Sequence, residues 1–137
     1  MLRITPDTNI YISAFMFGGK PLRLLEMALE GEVRLAISDA ILEEALGVLR
    51  DKFGLARERL LEAEGFIKRC TERVTPVQTL DVVQSDPHDN RVLECAVAAG
   101  SDAIVSGDSD LLGLRNYSGI KIMKVAEFLK LGPSSPQ

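Results

Sequence analysis

The chain has 137 residues, 46% of them hydrophobic and 26% charged, a size and balance that fit one globular domain and exclude a disordered or fibrous chain. No apolar run nears the roughly 20 residues that cross a bilayer, and the N-terminus lacks the basic region, apolar stretch and cleavage site of a secretion signal, so a cytoplasmic protein without membrane contact is expected. Acidic residues outnumber basic ones by 20 to 16, for a formal charge of −4, which disfavours broad binding to polyanions unless a group of carboxylates is neutralised by bound cations.

Leu2-Arg3-Ile4-Thr5 alternates apolar and polar residues and runs into Pro6 and the cluster Asp7-Thr8-Asn9, the pattern of a strand ending in a turn. Pro21 to Glu30 carries Leu22, Leu24, Leu25, Ala28 and Leu29 mainly at helical spacing, with Pro21 suited to the first turn and Gly31 to the stop. Val33 to Ile37 reads as a strand, and Ser38 as the cap of a helix bearing Ile41, Leu42, Ala45, Leu46, Val48 and Leu49. A charged amphipathic helix is expected from Ala56 to Cys70, then a short edge segment over Arg73 to Val77 that must accommodate Pro76. Asp86 and Pro87 fit the N-cap and first position of a helix closed by Gly100. Strands over Asp102 to Ser106 and Ile120 to Met123 and a helix over Val125 to Leu131 complete the chain. This alternation predicts a single α/β domain over residues 1–131, with a mostly parallel twisted sheet of about five strands and helices on both faces. The tail, residues 132–137, is expected to be disordered. Cys70 and Cys95 have no CxxC spacing and are expected to be small buried thiols.

In an open parallel sheet, ligands bind beyond the carboxyl ends of the strands. Asp7 follows the first strand there, and Asp108 and Asp110 follow the strand ending near Ser106. Asp89 lies one turn before Val92 and Leu93, on the inward side of its helix, where a carboxylate is costly unless paired or bound to a metal. Glu44 sits at the edge of an apolar arc centred near Ala45 and Leu49, whereas Glu43 points about 100° further toward solvent. Helix capping accounts for Asp86 and only partly for Asp89. If Asp7, Glu44, Asp89 and Asp108 converge, their repulsion demands a cation, and carboxylate oxygens select hard ions such as Mg²⁺ or Mn²⁺, suited to phosphate hydrolysis. His88, the only histidine, reads as a solvated surface residue. There is no nucleophile elbow, P-loop or GxGxxG.

Asp7-Thr8-Asn9, Ser38 with Glu44 six residues on, Asp86-Pro87-His88-Asp89-Asn90 and Ser106-Gly107-Asp108-Ser109-Asp110-Leu111-Leu112 together resemble the PIN domain. Gly18-Gly19-Lys20-Pro21, Ile41-Leu42-Glu43-Glu44 and the Asp86 to Asn90 run are similar to its toxin–antitoxin, VapC-like branch. The resemblance implies a Rossmann-type three-layer fold and metal-dependent cleavage of RNA, often by the toxin of an antitoxin pair acting as a homodimer. It makes Asp7, Glu44, Asp89 and Asp108 the metal-binding and catalytic carboxylates, with Thr8, Asn9, Asp86, Ser106 and Asp110 as outer partners. Two positions depart from the family pattern: Pro6 stands where an aliphatic residue is usual, and Ser106 where threonine is common. Lys20, Arg23, Arg91 and Arg115 are the expected local RNA contacts. Two other readings compete: a catalytically silent PIN-like module for dimerisation and partner binding, disfavoured by retention of all four acids, and a phosphotransfer domain with Asp7 as acceptor, which lacks the paired Asp-x-Asp and a strand-end lysine.

Overall fold

The computed structural model describes residues 1–131; the tail at 132–137 lies outside the described residues. In chain order the elements are β1 (Arg3–Pro6), α1 (Thr8–Phe17), α2 (Gly19–Leu29), β2 (Arg34–Ile37), α3 (Asp39–Asp51), α4 (Arg57–Cys70), β3 (Thr71–Arg73), α5 (Pro87–Ala99), β4 (Ala103–Val105), α6 (Ser109–Leu114), β5 (Asn116–Tyr117), β6 (Ile120–Met123) and α7 (Val125–Leu131). The sheet has six strands in the order β3-β2-β1-β4-β6-β5. All pairings are parallel except that of β5 with β6. The sixth strand is the two-residue β5, too short to register as a period in the sequence.

The chain lays down β1, β2 and β3 in one direction and then returns to place β4 on the other side of β1. Because parallel crossovers are right-handed, this reversal sends α5 to the face opposite the helices that precede β3. Accordingly α5 packs across β1, β2 and β4, while α1, α2, α3 and α4 pack on one another. Ile4, Leu35, Ile37 and Ile104 from the strands are fully buried against Tyr11, Leu24, Leu25, Ile41, Leu49, Ile67, Leu93 and Phe128 from the helices. Cys70 and Cys95 are free and buried. No helix among the described residues is long and apolar enough to cross a membrane.

Local chemistry sets the boundaries. Ser38 Oγ accepts from the Ile41 amide at 3.3 Å and starts α3. The edge strand after α4 forms over Thr71–Arg73, two residues earlier than the Arg73 to Val77 segment expected from sequence. It pairs with β2, the Val74 amide still reaches Ile37 O at 2.9 Å, and Pro76, with no N–H to give, lies beyond the last rung. Gly100 ends α5 in the left-handed region, at φ 62°, and its amide bonds back to Val97 O at 3.1 Å. A Cβ there would meet nothing within 4 Å, so the cost of Gly100→Ala is conformational only. It is expected to lower stability by about 1 kcal/mol, read as a shift of the urea midpoint at unchanged m-value.

Candidate metal centre

The topological switch lies between β1 and β4, and the carboxyl ends of these strands are locked together by hydrogen bonds. Beyond β1, the Asp7 amide donates to Val105 O at 2.9 Å, and beyond β4 the Ser106 amide donates to Met123 O at 3.0 Å. Ser106 Oγ then joins the two turns, donating to Asp7 Oδ2 at 2.5 Å and accepting from the Asp108 amide at 2.9 Å. Each of these aspartates also begins a helix. Asp7 Oδ1 caps α1 through the Ile10 amide at 3.1 Å, and Asp108 Oδ1 caps α6 through the Asp110 and Leu111 amides at 2.9 and 3.1 Å. Capping uses one oxygen of Asp108 and leaves the other without a hydrogen-bond donor among the described residues.

Helix α5 points its first turn at the same place. Asp86 caps it by accepting from the His88 amide at 3.0 Å, and Asp89, one turn in, is buried. One carboxylate oxygen each from Asp86, Asp89 and Asp108 fall within 4.8 Å of one another. Asp7, Thr8 and Asn9 at the start of α1, Glu44 from α3, and His88 and Val92 from α5 complete a cavity of about 40 Å³ around them. That cavity is lined by five carboxylates and an imidazole, with no lysine or arginine. A larger cavity of about 250 Å³ opens around Arg3, Arg34 and Glu72, near the opposite ends of β1 and β2. Its charges are already engaged, Arg34 with Glu72 at 3.4 Å and Arg3 with Ala99 O at 3.2 Å, so it offers less chemistry despite its size.

Asp89 Oδ2 is buried and has no hydrogen-bond partner among the described residues. Desolvation first, then Asp108, Asp86 and Asp7 nearby, push its carboxyl up to about 8. Burial likewise raises Asp7, against the lowering effect of its bonds from Ser106 and Ile10. Buried carboxylates crowded this closely are unfavourable unless a cation is supplied, and their oxygens suit a hard divalent ion. The orphaned oxygen and the three converging carboxylates therefore fit Mg²⁺ or Mn²⁺.

Of the residues singled out in the sequence, Asp7, Glu44, Asp89 and Asp108 line this one cavity, with Thr8, Asn9 and Asp86. Asp7 and Glu44 stand outside the tight group, which Asp86 joins while also serving as the α5 cap. Ser106 is buried beneath, and Asp110 lies to the side, accepting from Ser85 Oγ at 2.6 Å. None of Lys20, Arg23, Arg91 and Arg115 lines the cavity. Arg23 pairs with Glu30 and Glu32, and Arg91 turns to Glu94 at 2.7 Å and Leu80 O at 3.1 Å. His88 is largely exposed, yet its Nδ1 contacts Glu44 Oε2, a pairing across two helices that no local pattern encodes.

Asn90 is a structural residue that no local sequence signal marks. Its Oδ1 accepts from the Val82 and Val83 amides, both at 2.8 Å, and its Nδ2 donates to Val83 O at 2.7 Å. The side chain thus mimics a strand partner for the irregular segment that delivers Asp86 to the site. Asn90→Ala orphans these groups and is expected to cost about 2–4 kcal/mol, measurable as a lowered denaturation midpoint.

The profile of the PIN domain family matches residues 3–110, and the chain belongs to that family. PIN domains are generally nucleases. Among solved structures, the fold is similar to that of a chain in the crystal structure of VapBC2 from Rickettsia felis bound to a DNA fragment from their promoter. The TM-score is 0.63 at 15% identity, over 88% of this chain and 97% of that one. No protein of curated function matches the sequence.

Proposed function

We propose that this PIN domain is a divalent-metal-dependent endoribonuclease, with Asp7, Glu44, Asp89 and Asp108 as its working carboxylates and Asp86 joining them. The observation that carries the reading is the buried, partnerless Asp89 oxygen among the Asp86 and Asp108 carboxylates at a strand-order switch. Asp86, Asp89 and Asp108 would hold Mg²⁺ or Mn²⁺, with Asp7 and Glu44 at the cavity wall. An ion bound there supplies positive charge at a phosphoryl oxygen and promotes attack by water.

The chain's own groups do the positioning. Ser106 fixes Asp7 and Asp108 relative to each other, so the two turns move as one unit. The first turn of α1 brings Thr8 and Asn9 to the cavity together with the positive end of the helix dipole, which favours a bound phosphate. With no lysine or arginine among the described residues of the lining, the first turn of α1 is the chain's own group placed to receive a nucleic acid phosphate. RNA as substrate, a cognate antitoxin protein as partner, a homodimeric assembly and a cytoplasmic location follow from the resemblance of the motifs to the VapC-like branch, and the fold shared with a VapBC2 chain supports the antitoxin.

The test is purified protein incubated with a mixed RNA pool in Mg²⁺ or Mn²⁺, with and without chelator, beside Asp7→Asn. Cleavage is expected only for the wild type with metal present. Cleavage that persists in both chelator and the variant contradicts the metal mechanism, and metal binding without cleavage of any RNA contradicts the ribonuclease reading.

A further inference from the structure

We infer that His88 is a positioning residue for Glu44, holding its carboxylate at the metal cavity through the contact of the imidazole Nδ1 with Oε2. The inference rests on the divalent-ion reading of that cavity and adds to it a role for a side chain on the opposite helix. Its basis is how the acids divide their oxygens. Asp108 Oδ1 is held by two helix amides, Asp86 Oδ1 by the His88 amide, and Asp7 by Ile10 and Ser106. Each of these anchors is backbone or a buried side chain close to its acid in the turn or across the sheet. Glu44 is different: it projects from the middle of α3, where the backbone amides are consumed by the helix itself. Its side chain is 17% exposed, and its Oε2 contacts His88 Nδ1.

His88 carries two donors to two acids. Its amide caps α5 through Asp86, and its ring reaches across to α3. The first bond survives any non-proline substitution, so changing the side chain isolates the second. The imidazole is 65% exposed, which means that removing it opens no core cavity. Holding Oε2 orders a flexible glutamate beforehand, which would spare the entropy of ordering it when an ion binds. Hydrogen-bond partners of this kind around a metal ligand are worth about 10–100-fold in metal affinity.

The experiment measures Mn²⁺ binding by the free-ion EPR signal, together with the melting temperature in chelator, for the wild type, His88→Ala, His88→Asn, Glu44→Gln, the Glu44→Gln/His88→Ala double variant and Asp89→Asn. His88→Ala is expected to weaken Mn²⁺ binding about 10-fold or more at an unchanged melting temperature. Asparagine can set an amide N–H where Nδ1 lies and is expected to restore most of the affinity. In the Glu44→Gln background the further loss of His88 is expected to cost nothing, because the pair acts as a unit. Wild-type affinity in His88→Ala, alongside lost binding in Asp89→Asn, overturns the role of His88 alone. Wild-type affinity in Asp89→Asn overturns the ion site itself, and the inference with it. Additive losses in the double variant also overturn it, since they assign the His88 effect to something other than Glu44.

Discussion

Replacing Asp89 by asparagine is expected to make the metal-free protein more stable and, at the same time, to abolish ion binding and RNA cleavage. The two effects have one origin. In the wild type, Asp89 Oδ2 is buried with no donor among the described residues, beside the carboxylates of Asp86 and Asp108, so folding must either take up a proton or bury an ionised group against desolvation and repulsion, and both cost stability until a cation arrives. Asparagine has the same shape, removes the charge, and brings an amide N–H₂ that can donate to the neighbouring acids. Relief of a buried, unpaired charge is worth about 1–3 kcal/mol, visible as a higher melting temperature in chelator. The catalytic cost runs the other way. Losing a central ligand is expected to lower the cleavage rate on the order of 10³-fold, equivalent to about 4 kcal/mol at 1.36 kcal/mol per decade. A variant that is both less stable and fully active contradicts the assignment of Asp89.

The second large effect is in the pH dependence of stability, and its sign is opposite to that of an ordinary ion-paired aspartate. An unfolded aspartate releases its proton near pH 4, at about 3.9, whereas folded Asp89 keeps its proton up to about 8. Between those values the folded state binds the extra proton. The stability contributed by that proton is therefore complete below the unfolded pKa and is lost as pH rises toward 8. In chelator, the melting temperature is expected to fall on the order of 5–10 °C between pH 5 and pH 8. Saturating Mn²⁺ reverses the trend, because the ion competes with the proton and stabilises only the folded site, by about 2.7 kcal/mol at a hundredfold excess over Kd. The Asp89→Asn variant lacks the group and is expected to show a flatter profile. Calorimetric scans across this range in chelator, with and without Asp89, measure the difference directly. A wild-type profile that rises toward pH 8 without metal contradicts the raised Asp89.

Both effects depend on a convergence that the sequence expressed unevenly. Strand β6, helix α7 and the Asp86-Pro87 start of α5 were legible because their signals are local: alternation, a terminal apolar stripe, a cap followed by proline at the first position. Helix α1 was not. Its sequence, TNIYISAFMF, is apolar nearly all round, and Thr8, Ile10, Tyr11, Ile12 and Ala14 are all buried, so it has no polar face to set a 3.6-residue period. Its β-branched residues favour a strand on propensity alone, and packing between β1 and the neighbouring helices overrides that preference. Helix α6 and strand β5 escaped for the opposite reason, being only six and two residues long.

The candidate site divides along the same line. That Asp7 and Asp108 lie past strand ends is a fact of local sequence, and so is the inward register of Asp89. That Asp86 both caps α5 and brings its carboxylate to Asp89 and Asp108 depends on the path of the preceding irregular segment, which Asn90 sets through bonds eight and seven residues back along the chain. The contact of His88 with Glu44 joins residues on α5 and α3, a distance in sequence that no periodicity reports. The basic residues taken as RNA contacts show the limit most plainly. Arg91 lies two positions from Asp89, yet its guanidinium turns to Glu94 and the Leu80 carbonyl, because a helix separates the directions of positions two apart by about 200°.

The proposed divalent cation lies among the Asp86, Asp89 and Asp108 carboxylates. Crystals soaked in Mn²⁺ and measured at a wavelength where manganese scatters anomalously test it without reference to any substrate. An anomalous peak is expected within coordination distance of Asp89 Oδ2 and the carboxylates of Asp86 and Asp108. Crystals grown and soaked near pH 8 that show no peak there, or show manganese only elsewhere on the surface, contradict it.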